Sequence, residues 1–240
     1  MSRVLFVTGT GTEVGKTAVT AAVAALAVRA GLSTAVLKPG QTGVTPDEPG
    51  DAQEVARLVG ADAPLTIREL VRYPEPLSPE RAALRSGQPF VTVPQFLAAI
   101  EELTASHDLV LVEGAGGLLV RYDADGLTLA DLAQAVDGAE LLLVAAPGLG
   151  TLNTTTLTAE ALRARKLAIT GVVVGSWPSE PDLATRCNVI DLPIAAGAPL
   201  LGALPTGAPR AADFTGLAAA GLAPALGGQW DAAAFTAAQA

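Results

Sequence analysis

The chain has 240 residues, half of them hydrophobic, and a formal net charge of -9. This length suits one domain with a sizeable core. The acidic balance disfavours nucleic acid as a partner, because phosphate backbones require clustered Lys and Arg. Gly, Pro or charged residues interrupt the apolar runs well before membrane-spanning length. We therefore expect a cytoplasmic protein with no membrane or nucleic-acid partner.

The first predicted strand, Val4 to Val7, leads into the glycine-rich segment TGTGTEVGKT at residues 8–17 and then into a helix predicted from Lys16 to Arg29. Glycines allow successive backbone N–H groups to turn towards an anion, and a helix start attracts phosphate. Lys16 adds a mobile cation, and the Thr17 hydroxyl can ligate Mg²⁺. The segment is one residue longer than the standard P-loop, which would have glycine at Thr10. It still predicts a nucleoside triphosphate as the ligand.

Further apolar runs alternate with helical patterns along the chain. Strands are predicted at Thr34 to Leu37, Leu109 to Val112, Leu141 to Ala145, Ile169 to Val174 and Leu200 to Leu204, and helices at Ala52 to Val59, Pro94 to Thr104, Leu129 to Val136 and Asn153 to Arg165. Val44 to Gly50 and Tyr73 to Pro79 are predicted as loops over the site, and residues 215–240 as a C-terminal helix with a frayed tail. The alternation predicts a single-domain α/β fold over residues 1–240, of the P-loop NTPase type, with a mostly parallel central sheet flanked by helices.

Ligands of such sheets bind beyond the carboxyl ends of the strands, and the unusual residues of this chain follow its predicted strands. Lys38 ends a buried strand, where a cation is costly unless it faces an anion. Glu113 ends another strand in the manner of a Walker B motif, with glutamate in place of aspartate, and can hold Mg²⁺ beside Thr17. The small residues 114–117 allow close backbone approach to a ligand. Asp51 opens a predicted helix, either as its N-cap or as a metal ligand.

Four segments resemble the dethiobiotin synthetase family: residues 8–17, Lys38 to Gly43, Val112 to Gly117 and Leu149 to Asn153. The resemblance covers most of the chain, and the longer loop is part of it. It implies an ATP- and Mg²⁺-dependent ligase of biotin synthesis that forms C–N bonds. Such an enzyme closes a ureido ring on 7,8-diaminononanoate with CO₂ through a carbamic-phosphoric anhydride, and it releases nucleoside diphosphate and phosphate.

The resemblance also implies roles for individual residues. It assigns catalysis to Lys16 and Lys38, and Mg²⁺ to Thr17, Asp51 and Glu113. The implied nucleotide-binding residues are Glu13, Val14, Gly15, Lys16, Thr17, Ala18, Asp51, Glu113, Gly114, Ala115, Gly116, Gly175, Ser176, Leu204, Pro205 and Thr206. The implied substrate-binding residues are Thr12, Lys38, Thr42, Gly150, Thr151, Leu152 and Asn153. A homodimer is implied as well, with the helix start at Gly150 to Asn153 of one protomer holding the carboxylate of the diamine bound to the other.

One departure from the family concerns the nucleotide base. Many relatives carry an asparagine after the fifth predicted strand that reads adenine, whereas this chain has Gly175-Ser176-Trp177-Pro178 there. We therefore predict a relaxed preference that accepts CTP or other triphosphates as well as ATP. Two other functions stay open at this stage. One is a switch ATPase of the partitioning or septum-site type, whose loop normally carries an additional lysine. The other is a synthetase domain of the cobyrinic acid amidotransferase type, whose glutaminase domain uses a Cys-His pair.

Overall fold

Parallel strands form one seven-stranded sheet in the computed structural model, which describes residues 2–239. The strands are β1 (Arg3–Gly9), β2 (Thr34–Thr42), β3 (Leu65–Tyr73), β4 (Leu109–Glu113), β5 (Glu140–Ala145), β6 (Ile169–Trp177) and β7 (Leu200–Pro205). Their order in the sheet is β3-β2-β4-β1-β5-β6-β7. The chain runs from β1 to one edge and later returns to the other side, so the carboxyl end of β1 lies at the point where the strand order reverses, which is where ligands bind in such sheets.

Helices cover both faces of the sheet. They are α1 (Lys16–Arg29), α2 (Asp51–Val59), α3 (Pro79–Ser86), α4 (Val93–Thr104), α5 (Leu129–Gln134), α6 (Thr151–Ala164), α7 (Leu183–Ala196), α8 (Phe214–Gly221) and α9 (Ala232–Ala237), with 3₁₀ turns at Ala208–Arg210 and Pro224–Leu226. Among residues 2–239, none of these helices combines the length and the apolarity needed to cross a bilayer.

Alternate residues of the central strand divide the core into two layers. Leu5 and Val7 pack into one layer with α1, α2, α7 and α8, and Val4 and Phe6 pack into the other with α4 and α5. Residues from Ala18 to Ala27 of α1 are buried, because this helix lies against the sheet and also contacts α2 and α8. Its alanines allow this close approach. The start of α1 is thereby held firmly at the carboxyl end of β1.

The fold class predicted from the sequence is confirmed, and the structure adds elements that the patterns did not indicate. The strand β3 was missed because its sequence, LTIRELVRY, mixes charged and apolar residues, as edge strands do. The helix α3 begins at Pro79, so the predicted loop over the site is confined to residues 74–78. The helix α7 was also missed, and it carries Pro193 in its last turn.

The C-terminal residues pack onto the rest of the domain. The helix α8 contacts α1 and β7. The Phe235 ring of α9 lies with its centroid 5.0 Å from that of Trp177 and 5.1 Å from that of Trp230. These aromatic contacts join the end of the chain to the end of β6.

Candidate active site

The glycine-rich loop leaves β1 at Gly9 and enters α1 at Lys16. Two residues of the loop have left-handed backbone angles, Gly15 with φ 94° and Glu13 with φ 59°. Gly15 is packed so closely that a Cβ there would lie 2.6 Å from the carbonyl oxygen of Gly175. A Cβ on Gly175 would in turn overlap the carbonyl oxygen of Val14. The loop therefore rests directly on the backbone of β6, and both contact positions require glycine.

The side chain of Lys16 folds back over this loop. Its Nζ donates a hydrogen bond to the carbonyl oxygen of Gly11 at 2.9 Å. Burial lowers the pKa of Lys16, and the charge of Lys38 lowers it further, while Glu113 and Asp51 act in the opposite direction. The two lysines are thus near enough to influence each other, and together they concentrate positive charge where a phosphate chain would lie.

Lys38 is the centre of a buried ionic cluster. Its Nζ donates to Glu113 Oε1 at 2.9 Å, to the carbonyl oxygen of Gly114 at 3.2 Å, and to the Asp51 carboxylate. Burial alone would lower the pKa of Lys38, but the two carboxylates outweigh it and raise the pKa above its ordinary value. The two carboxylates thus favour the charged form of Lys38 at the carboxyl end of β2.

The oxygens around Lys38 match the ligands that Mg²⁺ prefers. Thr17 Oγ1 donates to Glu113 Oε1 at 2.9 Å, and Glu113 Oε2 is buried without a hydrogen-bond partner among the described residues. Proteins bind Mg²⁺ through one or two carboxylates together with substrate phosphates, rather than by a complete cage of side chains. In keeping with this, residues 2–239 contain no cluster of three or more His, Cys, Asp or Glu that could hold a metal alone. Thr17, Asp51 and Glu113 fit a metal that phosphate oxygens complete.

These groups line one cavity of about 690 Å³ at the carboxyl edge of the sheet. The site residues expected from the sequence that line it are Thr12, Glu13, Gly15, Lys16, Thr17, Lys38, Thr42, Asp51, Glu113, Gly114, Ala115 and Gly116. The structure adds Gln41, Gly43 and Val120, and it also adds the segment Pro76 to Pro79, all of which belongs to the predicted loop over the site. Gln41 lies in a strand-end segment, but its contacts could not be deduced from the sequence.

The remaining expected site residues lie around this cavity rather than in its lining, as far as residues 2–239 define it. Val14 of the loop and Ala18 of α1 are buried, and Gly175 supports the loop from β6. The ends of β6 and β7 are bonded to each other: Ser176 Oγ lies 2.8 Å from Thr206 Oγ1, and the Thr206 amide donates to the Trp177 carbonyl at 2.7 Å. Leu204 and Pro205, at the end of β7, directly precede Thr206.

A second, apolar cavity of about 290 Å³ adjoins the first. It is lined by Thr10, Gly117, Leu118, Leu119, Val120, Leu157, Thr158 and Ala161, so Val120 lines both cavities. Part of its wall comes from α6, the helix that begins with Thr151, Leu152 and Asn153 after the left-handed Gly150. The residues of α6 that line this cavity are Leu157, Thr158 and Ala161, which lie further along the helix than its start at Gly150 to Asn153. The carboxylate-binding role of that start stays a prediction.

The fold and the loop together define a class of protein. A parallel sheet whose central strand leads through a glycine-rich loop into a helix that starts Lys-Thr is a P-loop nucleotide-binding domain. In agreement, a family model described as an AAA domain matches residues 3–209.

Comparison with curated proteins gives the family. The ATP-dependent dethiobiotin synthetase BioD of Streptomyces avermitilis is 61% identical over 238 residues, 98% of each chain. That of Saccharopolyspora erythraea is 64% identical over 230 residues, 95% of this chain and 98% of the relative. The chain therefore belongs to the family of ATP-dependent dethiobiotin synthetases, which are ligases. The resemblance inferred from the motifs is confirmed.

Solved structures agree on the fold alone. The cell division ATPase MinD of Pyrococcus furiosus superposes with a TM-score of 0.52 at 19% identity, over 85% of this chain and 84% of that chain. Identity this low shows a shared P-loop architecture and does not favour the switch-ATPase alternative over the family that the relatives show.

Proposed function

We propose that this protein uses Mg²⁺ and a nucleoside triphosphate to close the ureido ring of dethiobiotin on 7,8-diaminononanoate with CO₂ or bicarbonate as the carbon source. The observation that carries the proposal is the buried cluster of Lys38, Asp51 and Glu113 beside the P-loop, in a chain of this family. Phosphoryl transfer requires mainly positioning and neutralisation of charge, and this cluster supplies both.

The reaction that we propose has three steps. One amine of the substrate adds to CO₂, forms an N–C bond and loses a proton, which gives a carbamate. A carbamate oxygen attacks the γ-phosphorus, and the bond to the nucleoside diphosphate breaks. The second amine then attacks the carbamoyl carbon, phosphate leaves with the C–O bonding electrons, and a proton is released as the ring closes.

The residues of the chain serve these steps by charge and by position. Thr17, Asp51 and Glu113 would hold Mg²⁺, which neutralises phosphate oxygens when it is bound. Lys16 and Lys38 would stabilise the negative charge on the transferred phosphoryl group. Thr42 would donate its hydroxyl to the carbamate. The backbone at residues 114–116 is steadied by the Tyr122 hydroxyl, which accepts a hydrogen bond from the Ala115 amide at 3.1 Å.

The activity can be tested directly. The protein is incubated with 7,8-diaminononanoate, ¹³C-bicarbonate, Mg²⁺ and ATP, and the products are analysed by mass spectrometry. We expect dethiobiotin that carries the label, formed in step with phosphate. Phosphate release that does not depend on the diamine, without labelled product, would contradict the ligase function and favour a switch ATPase.

We also propose that the protein discriminates weakly between nucleotide bases. Gly175 offers no side chain, and the Ser176 hydroxyl is engaged with that of Thr206 at 2.8 Å. Few side-chain groups at the end of β6 are therefore available to read a base edge. We expect kcat/KM values for ATP, CTP and GTP that agree within about tenfold, measured as phosphate release in the presence of the diamine. An exclusive requirement for ATP would show that other groups read the base.

A homodimer with the substrate at its interface is the arrangement that we propose. Exposed leucines surround the apolar cavity and the start of α6: Leu149 is 88% exposed, Leu157 57% and Leu119 45%. Exposed apolar side chains grouped around a cavity are typical of interaction surfaces. The cavity adjoins the ionic site at Val120, so a partner that covered it could also contact the diamine.

Leu157→Glu should therefore convert the dimer to a monomer, because the new carboxylate would be buried without a partner in the interface. We expect half the mass in analytical ultracentrifugation and a KM for the diamine raised about tenfold or more, with nucleotide binding retained. Leu84→Glu is the matched control, because Leu84 is 51% exposed on α3. Dimers that persist in Leu157→Glu at low protein concentration would locate the interface elsewhere.

A further inference from the structure

The edge strand β3 brings one arginine to the rim of the active site. The strand β2 pairs with β4 from Thr34 to Leu37, whereas it pairs with β3 as far as Thr42. The last residues of β2 and β3 therefore project beyond β4 as a two-stranded ribbon. In this ribbon Gln41 lies opposite Arg72. Both residues lie next to the connection between β2 and α2, which ends at Asp51.

All five N–H groups of the Arg72 guanidinium are engaged. Its Nε and Nη2 donate to the two carboxylate oxygens of Glu69, each at 2.9 Å. Its Nη1 donates to the carbonyl oxygens of Thr45 and Glu48, at 2.9 Å and 2.5 Å. A second bond from Nη2 reaches Gln53 Oε1 at 3.2 Å. Arginine offers five donors in a rigid planar fork, so this one side chain ties β3 to the connection 44–50 and to α2.

The same network positions the first residue of α2. Gln53 Oε1 accepts from the Gly50 amide at 2.9 Å, and Gln41 Oε1 accepts from the Asp51 amide at 2.8 Å. A Cβ on Gly50 would lie 2.7 Å from Gln41 Oε1 and 2.8 Å from Glu69 Oε1. The backbone before Asp51 thus packs against Glu69 and Gln53, which bond to Arg72, and against Gln41. Because residues 45–49 are exposed, the position of this backbone depends on the hydrogen bonds with Arg72, Gln53 and Gln41.

We propose that Arg72 is a positioning residue that sets the Asp51 carboxylate against Lys38 and thereby tunes the affinity of the site for Mg²⁺. This inference rests on the proposed metal role of Asp51. Groups that orient metal ligands typically change metal affinity tenfold to a hundredfold when they are removed. Lysine cannot replace Arg72, because an ammonium offers three donors from a single point and cannot reach five acceptors.

The test compares Arg72→Met with Arg68→Met. Arg68 lies on the same strand, but its partner is the exposed Glu102. In the protein free of metal and nucleotide, amide hydrogen exchange over residues 44–54 should become about tenfold faster in Arg72→Met and stay unchanged in Arg68→Met. The Mg²⁺ concentration for half-maximal turnover should rise about tenfold, with kcat at saturating Mg²⁺ nearly unchanged.

Two further variants distinguish the positioning role of Arg72 from an effect of its charge and from a failure to fold. Glu69→Gln combined with Arg72→Met preserves the net charge and should show the same Mg²⁺ requirement as Arg72→Met. If Arg72→Met fails to fold, Gln53→Met takes its place, because it removes at similar volume the oxygen that accepts from both Arg72 Nη2 and the Gly50 amide. Faster amide exchange over residues 44–54 with an unchanged Mg²⁺ requirement would overturn the inference. Arg72 would then stabilise the segment without affecting the metal site.

Asp51→Asn distinguishes this outcome from failure of the proposed metal role. An unchanged Mg²⁺ requirement in Asp51→Asn would refute the role of Asp51, and the inference about Arg72 with it. If the Mg²⁺ requirement rises in Asp51→Asn but does not change in Arg72→Met, only the positioning role of Arg72 is refuted.

Discussion

Lys38→Met should lower the rate of dethiobiotin formation about a thousandfold or more, which is the scale measured when a cation that stabilises a transferred phosphoryl group is removed. Nucleotide binding should persist, because the P-loop and Lys16 lie on other elements than β2. Rapid-quench measurement of product and equilibrium titration of nucleotide would separate these two quantities. Lys166→Met is the control, since Lys166 is an exposed lysine far from the ionic cluster in sequence.

The same substitution should also reveal what Lys38 neutralises. Glu113 is buried, and removing the ammonium leaves its carboxylate next to that of Asp51 without compensation. We expect a loss of about 3 kcal/mol in the free energy of unfolding in Mg²⁺-free buffer, partly recovered when Mg²⁺ and nucleotide are added. Retained ring closure in Lys38→Met would remove Lys38 from the mechanism, and loss of nucleotide binding alone would assign it a different role.

Gly175→Ala should impair nucleotide binding through the backbone. The added Cβ would overlap the Val14 carbonyl and come within 3.0 Å of the Gly15 Cα, so the P-loop must move. Backbone is harder to displace than the end of a flexible side chain. We expect a Kd for nucleoside triphosphate about tenfold to a hundredfold higher and a free energy of unfolding lowered by about 1–3 kcal/mol.

Isothermal titration and thermal unfolding would measure the two effects of Gly175→Ala. The matched control is Gly148→Ala, because a Cβ on Gly148 meets no atom within 4 Å among the described residues. Wild-type nucleotide affinity in Gly175→Ala would mean that the loop does not depend on its contact with β6.

Most of the sheet could be predicted from the sequence because its inner strands are buried on both faces and appear as short apolar runs. β3 could not, because Arg68, Glu69 and Arg72 interrupt its apolar pattern, and those charges have partners that only the folded chain brings together. The strand that the sequence patterns missed, β3, is therefore the one that carries Arg72 and its hydrogen bonds to the segment before Asp51.

The candidate site shows the same division. Lys38 and Glu113 stand out in the sequence, because a charged side chain at the end of a buried strand is costly unless it faces an opposite charge. Asp51 did not, because a helix start explains an aspartate equally well as an N-cap. The structure excludes the N-cap, because Gly50 is the N-cap of α2 and the Asp51 carboxylate contacts Lys38, and the metal role stays a prediction. The role of Gln41 depends on an amide ten residues later, and no local pattern encodes such a contact.

Val120 contributes to the walls of both cavities. A change in the volume of this one side chain would alter the polar chamber and the apolar chamber together. A larger side chain at this position would therefore reduce the space in both cavities at the same time. Leu157 and Ala161 of α6 line the apolar cavity only, so a change in their volume would alter that chamber and leave the ionic cluster in place.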